Sequence, residues 1–166
     1  GGTDPNNTGI GLLQFYNAET TEFLREIRYS NLGGRPRELF FSPDGRIIGM
    51  VRSDGGLFFW NVQTGAVLQA PLGSSRDVNS ATFSPDEREL VLAKRNGCER
   101  WDWQRGLMIR RFAAGQNVVS VRFSPNARRI ITAALTNGVS IWDAGGVNAL
   151  VRSFVLANQE ATYAEY

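Results

Sequence analysis

Few residues in this chain could do acid–base or nucleophilic chemistry. Its 166 residues include no histidine and one cysteine, Cys98. Without histidine there is no Ser-His or Cys-His pair to activate a nucleophile, and no imidazole to hold zinc. Asp44-Gly45 and Asp54-Gly55 invite a calcium reading. A calcium loop, however, needs several carboxylates at alternating positions, so both pairs read as turns. Gly55-Gly56 and Gly145-Gly146 read as hairpin connections rather than a phosphate-cradling loop. An acid–base pair assembled from distant Asp and Glu is the one catalytic arrangement left open at this level. The expectation is a protein that is not an enzyme, with no cofactor and no metal.

Charge points the same way. Eighteen Lys and Arg face sixteen Asp and Glu, a formal +2 with pI near 9.0. Lys94 is the single lysine, and arginines are spread along the chain. The doublets Arg110-Arg111 and Arg128-Arg129 lack the interleaved aromatics that single-strand binders use. A mixed solvated surface is therefore expected over a nucleic-acid stripe. A lone cysteine permits no internal disulfide, which fits a reducing, cytoplasmic setting. Cys98 itself reads as a small buried hydrophobe. There is no apolar run near the length of a membrane span. Residues 1–9 read as a flexible leader, and Asn6-Asn7-Thr8 as a chance match to a glycosylation acceptor.

What must position any functional residue is a repeat. Phe-Ser-Pro occurs at 41–43, 83–85 and 123–125, with Trp60, Trp101 and Trp142 following each at a similar distance. A fixed period near 40 residues means one supersecondary unit copied in tandem. Each unit reads as four short strands, a to d. In the first, Glu38–Phe41 is strand a, Ser42-Pro43-Asp44-Gly45 a tight reversal, and Ile47–Val51 strand b. Asp54-Gly55 closes a hairpin, Leu57–Val62 is strand c, Thr64-Gly65 turns again, and Ala66–Leu68 opens strand d. Asn96-Gly97 and Asn137-Gly138 stand where Asp54-Gly55 does. All three predict two-residue loops with positive φ at both central residues. Leu57-Phe58-Phe59-Trp60 has no polar face, as expected of a sheet covered on both sides.

These residues resemble the WD-repeat β-propeller family. Phe-Ser-Pro-Asp-Gly at 41–45, its variants at 83–87 and 123–127, and the pairs Trp101-Asp102 and Trp142-Asp143 carry the likeness, with Trp60-Asn61 close to it. The resemblance covers roughly residues 10–166 and implies an all-β chain of propeller blades of four antiparallel strands. It implies a partial blade over 10–30, blades over 36–71, 78–113 and 118–155, and a partial blade over 161–166. The chain departs from the family in one respect. The family's hydrogen-bonded tetrad of His, Asp, Ser or Thr, and Trp cannot form without histidine. In the first part-blade, Leu12–Asn17 resembles strand c, with Phe15 or Tyr16 in the Trp position, and Glu22–Arg25 resembles strand d. Tyr163–Tyr166 aligns with strand a. About four blades result, compatible with a piece of a larger propeller, a half that pairs with a second copy, or a closed ring of four.

The resemblance also implies where a partner would bind. Loops d–a and b–c share one face, the usual binding face of the family. Here that top face would comprise Arg35, Arg37, Arg52, Asp54, Arg76, Asp77, Lys94, Arg95, Asn117, Thr136 and Asn137. Its positive members cluster in the first two blades, so the expected partner is a protein or peptide, acidic in character. Self-association to complete a ring is a further expectation. The alternative is a structural or regulatory propeller within a longer signalling or enzyme chain. Trp103, two residues past Trp101, is expected to pack between blades, or else to serve as a surface anchor.

Overall fold

The computed structural model describes residues 2–3, 9–30, 34–68, 72, 76–112, 114–145 and 150–154. The described residues contain fifteen strands and no helix. A first sheet holds β1 (Gly2–Thr3), β2 (Ile10–Tyr16) and β3 (Phe23–Ser30) in that order. Three four-stranded antiparallel sheets follow in simple meander order. Blade one is β4 (Pro36–Phe41), β5 (Ile47–Arg52), β6 (Leu57–Asn61) and β7 (Val67–Leu68). Blade two is β8 (Val78–Phe83), β9 (Glu89–Lys94), β10 (Gly97–Asp102) and β11 (Leu107–Phe112). Blade three is β12 (Val118–Phe123), β13 (Arg129–Ala134), β14 (Gly138–Asp143) and β15 (Leu150–Phe154). The expected strand a at 161–166 lies outside the described residues.

The sheets stack face to face, each seam filled from both sides. Leu13, Ile27 and Tyr29 of the first sheet meet Ile48, Met50 and Trp60 of blade one. Val51 and Phe59 meet Ala81, Phe83, Leu90 and Leu92 at the second seam. At the third, Val91, Ala93 and Cys98 meet Val121, Ile130 and Trp142. Strands β5 and β9 are thus buried on both faces, as their unbroken apolar runs require. Trp103 lies against Phe59, with ring centroids 4.4 Å apart, and against Phe83 at 5.2 Å. It is blade-to-blade packing.

The Ser-Pro turns repeat atom by atom. Ser42 Oγ donates to Asp44 Oδ1 at 2.6 Å and accepts from Ile47 N at 2.9 Å. Ser84 does the same with Asp86 and Glu89, and Ser124 with Asn126 and Arg129. The left-handed position of this turn is Gly45 (φ 71°) in blade one but Glu87 (61°) and Ala127 (57°) in the others.

Two expectations need correction. The b–c hairpins are not all two-residue loops with positive φ at both central residues: blade two keeps a two-residue loop, Arg95-Asn96 between the paired Lys94 and Gly97, but neither of its loop residues is left-handed. Only the glycines are left-handed, Gly55 at 78°, Gly97 at 113° and Gly138 at 65°; Asp54, Asn96 and Asn137 are not. In blade one Gly55 N bonds Arg52 O and Arg52 N bonds Gly56 O, both at 2.9 Å. That is a turn with one left-handed glycine in a three-residue loop, and pairing of Ala134 with Gly138 makes blade three's loop three residues as well. The leader also contains a strand. Gly2 and Thr3 pair with Leu12 and Gly11, in the strand-b place of the first sheet. A Gly-Thr pair is too short a run to show as a strand pattern in the sequence. In that sheet the c–d bulge falls between Phe15 and Tyr16, as it falls just before Trp101 and Trp142. Tyr16 therefore holds the Trp position.

Candidate binding surface

The d–a connections and b–c hairpins meet on one face and are tied by backbone bonds. Arg35 N donates to Ser53 Oγ at 3.0 Å, and Ser53 N to Arg35 O at 2.8 Å. Between blades, Val78 N donates to Gly55 O at 3.3 Å and Asn117 N to Arg95 O at 2.5 Å. Asp77 (φ 65°) and Asn117 (φ 53°) take the left-handed conformation at equivalent places before strand a, which short polar side chains tolerate best. Thr136 Oγ1 accepts from Gln116 N at 3.0 Å. Loops held in this way form a fixed surface.

Several of the eleven expected contact residues are already engaged. Arg52 is buried, donates from Nε to Asp54 Oδ1 at 3.1 Å, and stacks over Phe58 at 4.4 Å. The hydrogen bond from Arg52 holds the Asp54 carboxyl below its ordinary range. Arg37 donates to Asn79 Oδ1 at 2.8 Å, and Asn79 passes the chain on to Val118 O at 2.9 Å. Lys94 Nζ lies 2.9 Å from Glu99 Oε2. Arg35, Arg76, Arg95 and Asn137 are exposed, and none of their side chains has a bond among the described residues.

The structure gathers Arg76, Asp77, Lys94 and Arg95 around one cleft of about 240 Å3 above blade two. Asn96 and Gly97 of the hairpin also line it, with two residues that sequence reasoning did not assign to the top face, Glu99 and Arg111, the latter weighed only as half of a basic doublet. Glu99 is buried at the cleft wall and accepts Lys94, Arg111 Nη2 at 2.7 Å and Trp101 Nε1 at 3.2 Å. Burial alone would raise its pKa, but the Lys94 and Arg111 bonds outweigh it and the carboxyl titrates below its ordinary value. The available signal was a carboxylate in strand c at the place where blade one has Phe58 and blade three Ser140. A larger opening, about 420 Å3, lies on the opposite face among Pro43, Pro85, Pro125, Phe83 and Phe123. Its charged member, Arg122, is spent on Glu38 at 2.9 Å and on Ser80 at 3.2 Å.

Among the described residues no group of three or more His, Cys, Asp or Glu could hold a metal ion. Burial pushes the Cys98 thiol far up, which leaves it inert as a nucleophile.

Tandem four-stranded sheets with the inner strands β4, β8 and β12 in contact define a β-propeller. Residues 108–143 match the family described as WD domain, G-beta repeat. The human (Homo sapiens) WD repeat-containing protein 36 is 25% identical over 134 residues, 80% of this chain but 15% of that protein. The structure of Kuenenia stuttgartiensis hydrazine synthase is similar in fold alone. Its TM-score is 0.65 at 20% identity, over 80% of this chain and 38% of that one. The fold is thus a β-propeller, residues 108–143 match a WD-type repeat, and the turn and Trp pattern of that repeat recurs in the other two blades. Repeats of this type generally mediate protein–protein interaction and are typically non-catalytic.

Proposed function

We propose that this segment is a non-catalytic binding module whose top face recognises an acidic protein or peptide. The observation that carries this is the set of uncommitted cations there. Arg35, Arg76 and Arg95 are exposed with no side-chain bond among the described residues, Arg35 and Arg95 each accepting a backbone bond that ties their loops, while the acid Asp54 is neutralised by Arg52. A surface of this kind accelerates and orients the approach of a negatively charged partner. Fluorescence anisotropy with a labelled glutamate-rich peptide tests it. The triple variant Arg35→Glu, Arg76→Glu, Arg95→Glu should weaken binding by more than about tenfold at an unchanged melting midpoint. Equal affinity of variant and parent would remove the top face from the account. The proposal includes a cytoplasmic setting, checked by fractionating expressing cells.

A second reading, self-association, has its own support. Val119, Ile131 and Val139 on the outer face of blade three are half-buried. Val91, Ala93 and Cys98, on the corresponding face of blade two, are fully covered by the next blade. An apolar blade face of this kind favours association. Light scattering of parent and Ile131→Arg chains tests it, and a monomer in both would end this reading.

A further inference from the structure

The repeat supplies an internal control for the cleft above blade two. Where blade two has Lys94, Arg95, Glu99 and Arg111, blade three has Ala134, Leu135, Ser140 and Ser153. Blade one has Arg52 and Ser53 at the first two places and Phe58 at the third. All three blades keep the same strand register, so folding does not require the charged set. The set is also incompletely satisfied. Glu99 holds Lys94 and Arg111 at the wall, but an ammonium has three donors and a guanidinium five. Arg76 and Arg95 are exposed, and their side chains make no bond among the described residues.

Resting on the reading of the top face as a peptide-binding surface, we propose that this cleft is a subsite for a phosphorylated side chain of the bound peptide. Four cations, Arg76, Lys94, Arg95 and Arg111, face two carboxylates, Asp77 and Glu99. The net of two positive charges matches a phosphoryl group, which carries roughly −1.5 to −2 at pH 7. A single carboxylate would leave about one charge uncompensated. Two guanidiniums with free forks suit the three oxygens of such a group, because Arg–phosphate pairs are commonly bidentate. The volume of about 240 Å3 admits the group together with the stem that carries it. The cleft gathers its four cations above blade two, and blade three has Ala134, Leu135, Ser140 and Ser153 at the matching places, so no stripe crosses the face; that favours a single modified side chain over a nucleic-acid backbone.

The test uses the full chain and three labelled probes: a glutamate-rich peptide with one phosphoserine, the same peptide with glutamate at that place, and a thymidine oligonucleotide. The phosphopeptide should bind at least about tenfold more tightly than its glutamate counterpart. That preference should shrink below about pH 6 as the dianion takes up a proton. Arg76→Ala with Arg95→Ala should weaken both peptides and bring them to a common affinity, abolishing the preference, while the melting midpoint holds. Arg76→Lys with Arg95→Lys, which keeps charge but loses the forks, should retain part of it. Equal affinity for the two peptides, or a preference that survives the alanine pair, overturns the subsite and leaves the acidic-partner reading standing. No binding of either peptide overturns both. Tighter binding of the oligonucleotide than of the phosphopeptide overturns the peptide as ligand.

Discussion

Blades two and three share strand register and the bulge before the tryptophan, yet they treat the indole nitrogen differently. Trp142 Nε1 donates to Thr132 Oγ1 at 2.9 Å inside the seam. In blade two the corresponding residue is Leu92, and Trp101 Nε1 turns to Glu99 on its own strand at 3.2 Å. In blade one the place belongs to Met50, and Trp60 Nε1 is buried without a hydrogen-bond partner. A tetrad without histidine has therefore not vanished uniformly. Blade three keeps its Trp–Thr half, blade two replaces it with an ion-pair cluster, and blade one does without. The seam depends on ring burial first and on the indole hydrogen bond second. That ordering leaves blade two free to carry charge at its top. The family match over residues 108–143 covers the tryptophan that keeps this bond.

The largest expected effect tests that ordering. Trp142 is 7% exposed and packs on Phe112, whereas Trp101 is half-buried. Trp142→Ala should cost about 3–5 kcal/mol, and Trp101→Ala clearly less. Calorimetric midpoints that fall together would mean that the two seams are equivalent after all.

Next comes the charged cluster. Glu99→Ala strands Lys94 and Arg111 at a partly buried wall and should cost about 2 kcal/mol. Acid titration sharpens the point. Because the folded state holds the Glu99 pKa below its ordinary value, its contribution is present above the unfolded value of about 4.3. It is lost as the pH falls through the lower folded value. Glu99→Gln should therefore flatten the acid limb of a stability–pH curve. An identical limb in parent and variant would assign acid sensitivity to other carboxylates.

Thr132→Val is smaller. It preserves shape and removes the partner of Trp142, at about 1 kcal/mol, the low end for a buried donor left unsatisfied. If that bond is expendable, as the unpartnered Trp60 allows, urea midpoints of variant and parent will coincide.

The smallest effect concerns the a–b turns. Ala127 sits at φ 57°, a conformation that costs any residue with a Cβ. Ala127→Gly should raise stability by about 0.5–1 kcal/mol. Glu87→Gly in blade two should gain less, because Glu87 Oε1 accepts Asp44 N at 2.5 Å from the neighbouring blade. A larger gain at Glu87 would show that the cross-blade bond contributes nothing.

The amino-acid sequence by itself determined the blades. Phe-Ser-Pro, the Gly-closed hairpins and the Trp at fixed spacing are local signals whose physics acts within a few residues: Pro presets φ, Ser Oγ ties the turn, and apolar runs demand cover on both faces. Repetition made each weak signal strong. Tertiary structure decided what pattern does not encode. It gave the hairpins one left-handed glycine each in place of two positive-φ residues, because strand register fixes loop length. It brought Gly2–Thr3 into a sheet, a pairing too short to show as a pattern in the sequence. Above all it sorted the eleven top-face residues. Arg37 and Lys94 found partners on neighbouring strands and Arg52 found Asp54 in its own hairpin, while the side chains of Arg76 and Arg95 have none among the described residues. Glu99, together with Arg111 of the basic doublet, became the wall of the cleft. Whether a charge is free or spent depends on atoms brought together from distant parts of the chain, and only the folded chain brings them there.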